Sequence, residues 1–177
     1  FARRADAYAL TDELELAIED YGEAIRLDPQ NPETYYTRAN AYAFVSQLPE
    51  AVQHYGEAIR LSPDYVAAYA RRADSHAIRG EFALAIQGYD EALRLDPQDS
   101  VTHYTRGSAN ASMGQFPEAI EDYADAIRLN PQYTKAYYNR GLTYANLGHY
   151  QRAIQDASKA IRLDPQDAEA YINRGNA

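Results

Sequence analysis

The sequence predicts an all-α array of stacked helical hairpins, and three observations carry that expectation. The segment Ala-Ile-Arg-Leu-Asp-Pro returns at Ala24–Pro29, Ala58–Pro63, Ala92–Pro97, Ala126–Pro131 and Ala160–Pro165, with Ser62, Leu93 and Asn130 as single departures, so its prolines stand 34 residues apart. Each copy is followed by an aromatic-rich stretch: Tyr35 and Tyr36, Tyr69, His103 and Tyr104, Tyr137 and Tyr138, Tyr171. Between these marks, small and apolar residues recur at helical spacing. A repeat this short cannot bury its own apolar face, so its stability must come from stacking on its neighbours.

On that period the chain reads as one array over 1–177, with repeats at 1–31 (partial), 32–65, 66–99, 100–133 and 134–167 and a partial sixth at 168–177. Each repeat reads as two helices. In the second repeat the first helix is expected over Glu33–Val45, with Tyr35, Ala39, Tyr42 and Val45 as its apolar stripe. The next is expected over Pro49–Leu61, with Ala51, Tyr55, Ala58 and Ile59 facing the first. Pro49 and Pro117 suit the first turn of a second helix, where a missing N–H is harmless. Pro29, Pro63, Pro97, Pro131 and Pro165 disfavour helix in the residue before them and so separate the repeats. Ten complete or nearly complete helices follow, with an eleventh begun by Tyr171.

Gly80, Gly114 and Gly148 share the tight turn between the two helices, where Asp12 and Ser46 stand in earlier repeats. Ala39, Ala73, Gly107, Gly141 and Gly175 form a small-residue position on the first helix. Ala17, Ala51, Ala85, Ala119 and Ala153 do the same on the second, with Ala24, Ala58, Ala92, Ala126 and Ala160 after them. Small residues at these places let paired helices approach closely.

These positions together resemble the tetratricopeptide repeat family. The second repeat reads Tyr35, Ala39, Tyr42, Ala51, Tyr55, Ala58, Pro63, and the fifth reads Tyr137, Gly141, Tyr144, Ala153, Ala157, Ala160, Pro165. Ala157 departs where an aromatic is usual. His76 and Asn110 depart at another aromatic place and are expected to loosen their hairpins. The resemblance covers essentially the whole chain, and it implies a tetratricopeptide-type αα solenoid wound as a right-handed superhelix. Where the family usually has Leu, this chain has Arg4, Arg38, Arg72, Arg106, Arg140 and Arg174. Two readings stand for this ladder: aliphatic stems packed on the hairpin with their guanidinium groups meeting acids such as Asp20, Asp122 and Asp156, or a basic ladder for phosphate or carboxylate.

Composition narrows the function classes. Seventeen Lys and Arg against 26 Asp and Glu give a formal charge of -9, which disfavours nucleic acid and anionic membrane as partners. No run is long enough to span a bilayer, and there is no cysteine for disulfides or thiolate metal sites. A cytoplasmic location is the favoured expectation, with an upstream leader left open because residue 1 falls inside a repeat. His54, His76, His103 and His149 sit at unrelated repeat positions, and no metal-binding, phosphate-binding or nucleophile motif is present. Neighbouring acids such as Glu19 and Asp20 do not share a helix face. The chain is therefore expected to be no enzyme and to need no cofactor and no metal.

Binding is the remaining class. The resemblance implies a concave groove lined by first helices. Carried onto this chain, one groove position gives Ala2, Tyr36, Ala70, Tyr104, Tyr138 and Ile172. Four residues on it gives Asp6, Asn40, Asp74, Ser108, Leu142 and Asn176. Four further it gives Leu10, Phe44, Ile78, Ser112 and Asn146, while Ala9, Ala43, Ala77, Ala111 and Ala145 keep the wall shallow. The groove is expected to hold an extended or short helical protein segment, neutral to mildly basic, across Tyr36, Asn40, Phe44, Arg71, Asp74, Ile78, Tyr104, Ser108, Tyr138, Leu142 and Asn146. Its tyrosines read either as binding anchors or as packing against the next first helix. The family's clamp for a chaperone's terminal carboxylates needs Lys at the first groove position, which this chain never has. The acidic excess, including Glu13, Glu15, Glu19, Glu23, Glu57, Glu91, Glu118 and Glu121, is expected mostly on second helices and loops. The alternative function is structural: head-to-tail self-assembly through terminal repeats, giving a homo-oligomer.

Overall fold

The computed structural model describes residues 1, 4–5, 13–166 and 168–176, the side chain of Asn176 excepted. The expectations placed on Ala2, Asp6, Ala9, Leu10, Asp12 and the side chain of Asn176 lie outside the described residues. Ten helices run through the described residues: α1 Leu14–Leu27, α2 Pro32–Phe44, α3 Leu48–Leu61, α4 Val66–Ile78, α5 Phe82–Leu95, α6 Ser100–Ser112, α7 Phe116–Leu129, α8 Thr134–Asn146, α9 Tyr150–Leu163 and α10 Ala168–Asn176. The last starts at Ala168 rather than at Tyr171. The chain divides into two compact units, Phe1–Leu95 and Asp96–Ala177.

In the N-terminal unit α2 pairs with α3 and α4 with α5; in the C-terminal unit α6 pairs with α7 and α8 with α9. Each helix end has a local cause. Ser46, at φ 61, and Gly80, Gly114 and Gly148, at φ 75 to 76, take the left-handed conformation between paired helices. The next amide then reaches back to a carbonyl five residues earlier, as in Gln47 N–H to Tyr42 C=O at 2.9 Å and Gln115 N–H to Asn110 C=O at 2.9 Å. Asn31 and Asp99 cap α2 and α6 by accepting from Glu33 and Val101 backbone N–H groups at 3.0 Å. Tyr65 and Tyr133 stand at the same place before α4 and α8 and make no side-chain cap.

The interior is built of alanine and tyrosine. Ala39, Ala51 and Tyr55 form one buried cluster with Tyr36 and Tyr42 packed on it, and Ala17, Tyr21, Leu14 and Ala41 belong to another. In the C-terminal unit Ala160, Ile161 and Ala170 are covered by Tyr137 and Tyr138. Alanine lets the helices close, and one large ring per hairpin (Tyr55, Tyr89 or Tyr123, each at most 2% exposed) fills what remains.

The arginine ladder follows the packed-stem reading at several rungs. Arg4 pairs with Asp20, Arg106 Nη2 donates to Asp122 at 2.6 Å, and Arg140 grips Asp156 through Nε and Nη2 at 2.8 and 2.9 Å. All three aspartates are buried. Asn110 and His76, at which the hairpins are expected to loosen, both find polar partners. Asn110 is buried and donates to Asp122 at 2.9 Å, while His76 Nδ1 lies 2.7 Å from Glu81, so hydrogen bonds fill the place of the missing rings.

Candidate functional site

The i, i+4, i+8 spacing puts Tyr36, Asn40 and Phe44 on one face of α2, and Asp74 and Ile78 on the matching face of α4, beside Arg71. Phe44 and Ile78 are 73% and 72% exposed, which is unusual for side chains of that size at the end of a packed helix. In the C-terminal unit the same spacing places Tyr104 and Ser108 on α6, and Tyr138, Leu142 and Asn146 on α8.

The tyrosines of the first groove position are engaged by other side chains, Tyr36 and Tyr104 by rings of their own repeats. Tyr36 lies 4.9 Å from the Tyr65 ring and 5.8 Å from Tyr55, and Tyr104 lies 4.9 Å from Tyr133 and 5.8 Å from Tyr123. Asn139 Nδ2 donates to the Tyr104 hydroxyl at 3.0 Å, and Tyr65 donates to Glu33. Tyr138 packs on the Ala160 cluster. All three rings are half-buried. They hold repeats together and offer an edge to the wall.

The second groove position is tied down from behind. Tyr55 donates to Asn40 Oδ1 at 2.6 Å, Tyr89 to Asp74 Oδ1 at 2.8 Å, and Tyr123 to Ser108 Oγ at 3.3 Å. Burial raises the pKa of Tyr55 and Tyr123, the latter to about 12, so both hydroxyls stay protonated donors. Ser108 in turn donates to the Tyr104 carbonyl at 3.1 Å, which uses its remaining proton. In the fifth repeat both partners change together: Ala157 replaces the tyrosine and Leu142 replaces the acceptor. An acceptor with no hydroxyl behind it has no role there, and the wall becomes apolar at that point.

A cavity of about 310 Å³ lies beside Leu142 in the C-terminal unit. It is walled by Ser108, Ser112 and Ala111 of α6, Phe116 and Tyr123 of α7, and Asn139, Leu142, Thr143 and Asn146 of α8. Of the residues expected from sequence, it brings together Ser108, Leu142 and Asn146; Tyr104 and Tyr138 do not line it. In the N-terminal unit Arg71 and Asp74 pair loosely at 3.5 Å. Burial opposes the charge on Arg71, yet Asp74, Tyr36 and Tyr55 outweigh it and raise its pKa.

Sequence reasoning missed Tyr65, Tyr133, Phe116 and Asn139. A signal for the first two was present: tyrosine alternates with Asn31 and Asp99 at that place, so the pattern repeats every second repeat. Among the described residues no group of three or more acidic or histidine side chains is placed to hold a metal ion, and no helix is long and apolar enough to cross a membrane.

Family models described as TPR repeat match residues 5–43 and 107–148, and models described as tetratricopeptide repeat match 36–100 and 134–167. The chain belongs to the tetratricopeptide repeat family. Its helices superpose on solved members of that fold. A MamA crystal structure is 24% identical with a TM-score of 0.89, over 93% of this chain and 96% of the other. YrrB, described as a TPR protein with an unusual peptide-binding site, is 24% identical with a TM-score of 0.86, over 98% and 90%. A MamA from Desulfovibrio magneticus RS-1 is 21% identical with a TM-score of 0.88, over 94% of each chain. Among curated proteins no match is found.

Proposed function

We propose that this tetratricopeptide repeat chain is a non-catalytic scaffold that binds an extended or short helical protein segment along its first-helix walls. The observation that carries this reading is the cavity under Leu142, lined by carbon from Phe116, Tyr123 and Ala111 and rimmed by Asn146. A pocket of that size accepts one or two apolar side chains of a ligand. Asn146 makes no side-chain hydrogen bond among the described residues, so its amide is available to a peptide N–H or C=O. Phe44 and Ile78 supply the corresponding exposed carbon in the N-terminal unit. The peptide-binding site named for YrrB supports the reading by analogy of fold.

The residues to test are those free of packing duty. Peptides selected from a random library on wild-type protein should lose at least tenfold in affinity on Leu142→Lys, about 1.4 kcal/mol, with the helical signal intact. Undiminished binding by Leu142→Lys and Phe44→Lys together removes the walls from the account.

The second reading, self-assembly through terminal repeats, draws on Tyr171 and Ile172 of α10, which are 44% and 61% exposed. Light scattering over a concentration series separates the two. A constant monomer mass supports the binding module, and growth that Ile172→Lys abolishes supports assembly.

A further inference from the structure

Among Arg4, Arg38, Arg72, Arg106 and Arg140, Arg72 of α4 is the exception. The residue sixteen positions beyond each rung is Asp20, His54, Gly88, Asp122 or Asp156. Arg4, Arg106 and Arg140 each meet the aspartate there. Arg38, facing His54, turns to the Ile18 carbonyl at 3.1 Å. Arg72 has Gly88 at that position and makes no hydrogen bond or ion pair among the described residues; its guanidinium carbon lies 5.7 Å over the Tyr69 ring. A cleft of about 620 Å³ lies between α4 and α5, bounded by Arg72, His76, Leu84, Gln87 and Gly88. Asp90 and Glu91 also border it, but Glu91 is held by Arg94 at 2.8 Å and Asp90 has an interaction of its own. Glu81 is likewise held by Arg79 and His76. The uncommitted charge at the cleft is the cation.

The glycine itself has a packing cause. A Cβ on Gly88 would lie 2.9 Å from the Ala73 Cβ, whereas Asp122 and Asp156 fit because Gly107 and Gly141 stand opposite them. Each of these hairpins has room for one Cβ at this crossing, and the third repeat has it on α4.

We propose that the cleft beside Arg72 binds a carboxylate from outside the chain, an Asp or Glu side chain of a partner segment, completing the ion pair that other repeats complete internally. Arg72 supplies charge and paired N–H donors, and the Gln87 amide supplies a further donor at the rim. The cleft shares no residue with the first-helix walls, so either proposal survives failure of the other.

The test follows the Arg72 Nε–H signal by NMR, assigned by its loss in Arg72→Lys. Acetyl-Gly-Glu-Gly-amide should shift it saturably in the millimolar range, and acetyl-Gly-Gln-Gly-amide should not. The Ala73→Gly, Gly88→Asp pair rebuilds the arrangement of the fourth and fifth repeats. It should move the signal toward those of Arg106 and Arg140 and weaken the response at least tenfold. Should that pair unfold, Gln87→Leu must still weaken the response to the Glu peptide. A response shared by the Gln peptide, no response, or one unchanged in the variants overturns the proposal. An equal response to acetate or inorganic phosphate assigns the cleft to free anions and overturns the partner-segment source.

Discussion

His54 occupies the place at which Asp20, Asp122 and Asp156 meet the ladder, and its surroundings treat it as an aromatic residue. Its ring stacks on Tyr42 at 5.2 Å and 18°, and its Nδ1 is buried without a hydrogen-bond partner. Burial, then the Arg38 charge, pushes its pKa down to about 4 against the opposing pull of Glu57 and Glu50. The folded state therefore keeps the ring neutral while the unfolded chain takes up a proton near its ordinary value. Stability from this residue is full above about pH 6.5 and falls as pH drops toward 4. His54→Phe keeps the stacking and removes the titration. Urea midpoints should decline more steeply from pH 7 to 5 in wild type than in this variant; parallel curves would mean that His54 protonates freely in the fold. Sequence reasoning did not single out His54 beyond its unrelated repeat position, and its burial and missing partner are properties of packing.

At the scale of the element, helix limits were largely legible. The expected spans Glu33–Val45 and Pro49–Leu61 differ from Pro32–Phe44 and Leu48–Leu61 by a single residue at each displaced end. Proline and the left-handed turn act through local sterics, which sequence displays directly. The partner of each tyrosine was not legible in the same way. Tyr36 meets Tyr65 across 29 residues of chain, a contact set by how the end of the repeat folds back on its first helix rather than by spacing on a helix. Ser46 gives the clearest element-level prediction, since it holds φ 61 where later repeats use glycine. Ser46→Gly should stabilise the chain by about 0.5–1 kcal/mol, and Gly114→Ser should destabilise it by a similar amount. Denaturation midpoints that fail to move in opposite directions would contradict the view that this turn is under backbone strain.

For the whole molecule, the account rests on a division of labour between first and second helices. Second helices carry recurrent pairs three residues apart, Glu23 with Arg26, Glu57 with Arg60, Glu91 with Arg94 and Asp125 with Arg128. Such exposed pairs contribute little each, at most about 1 kcal/mol, and they keep that surface solvated. First helices expose Phe44, Ile78 and Leu142 along the wall positions. The wall positions were legible only as what the resemblance implies. The repeat period did not decide between the anchoring and packing readings of the tyrosines, and it did not reveal the cavity lined by Leu142. The most direct measurement is amide hydrogen exchange of the full chain with and without a library-selected peptide. The account predicts slowed exchange concentrated in α6 and α8, strongest around Ser108–Ser112 and Leu142–Asn146. Protection confined to the second helices α7 and α9, with α6 and α8 unchanged, would contradict it.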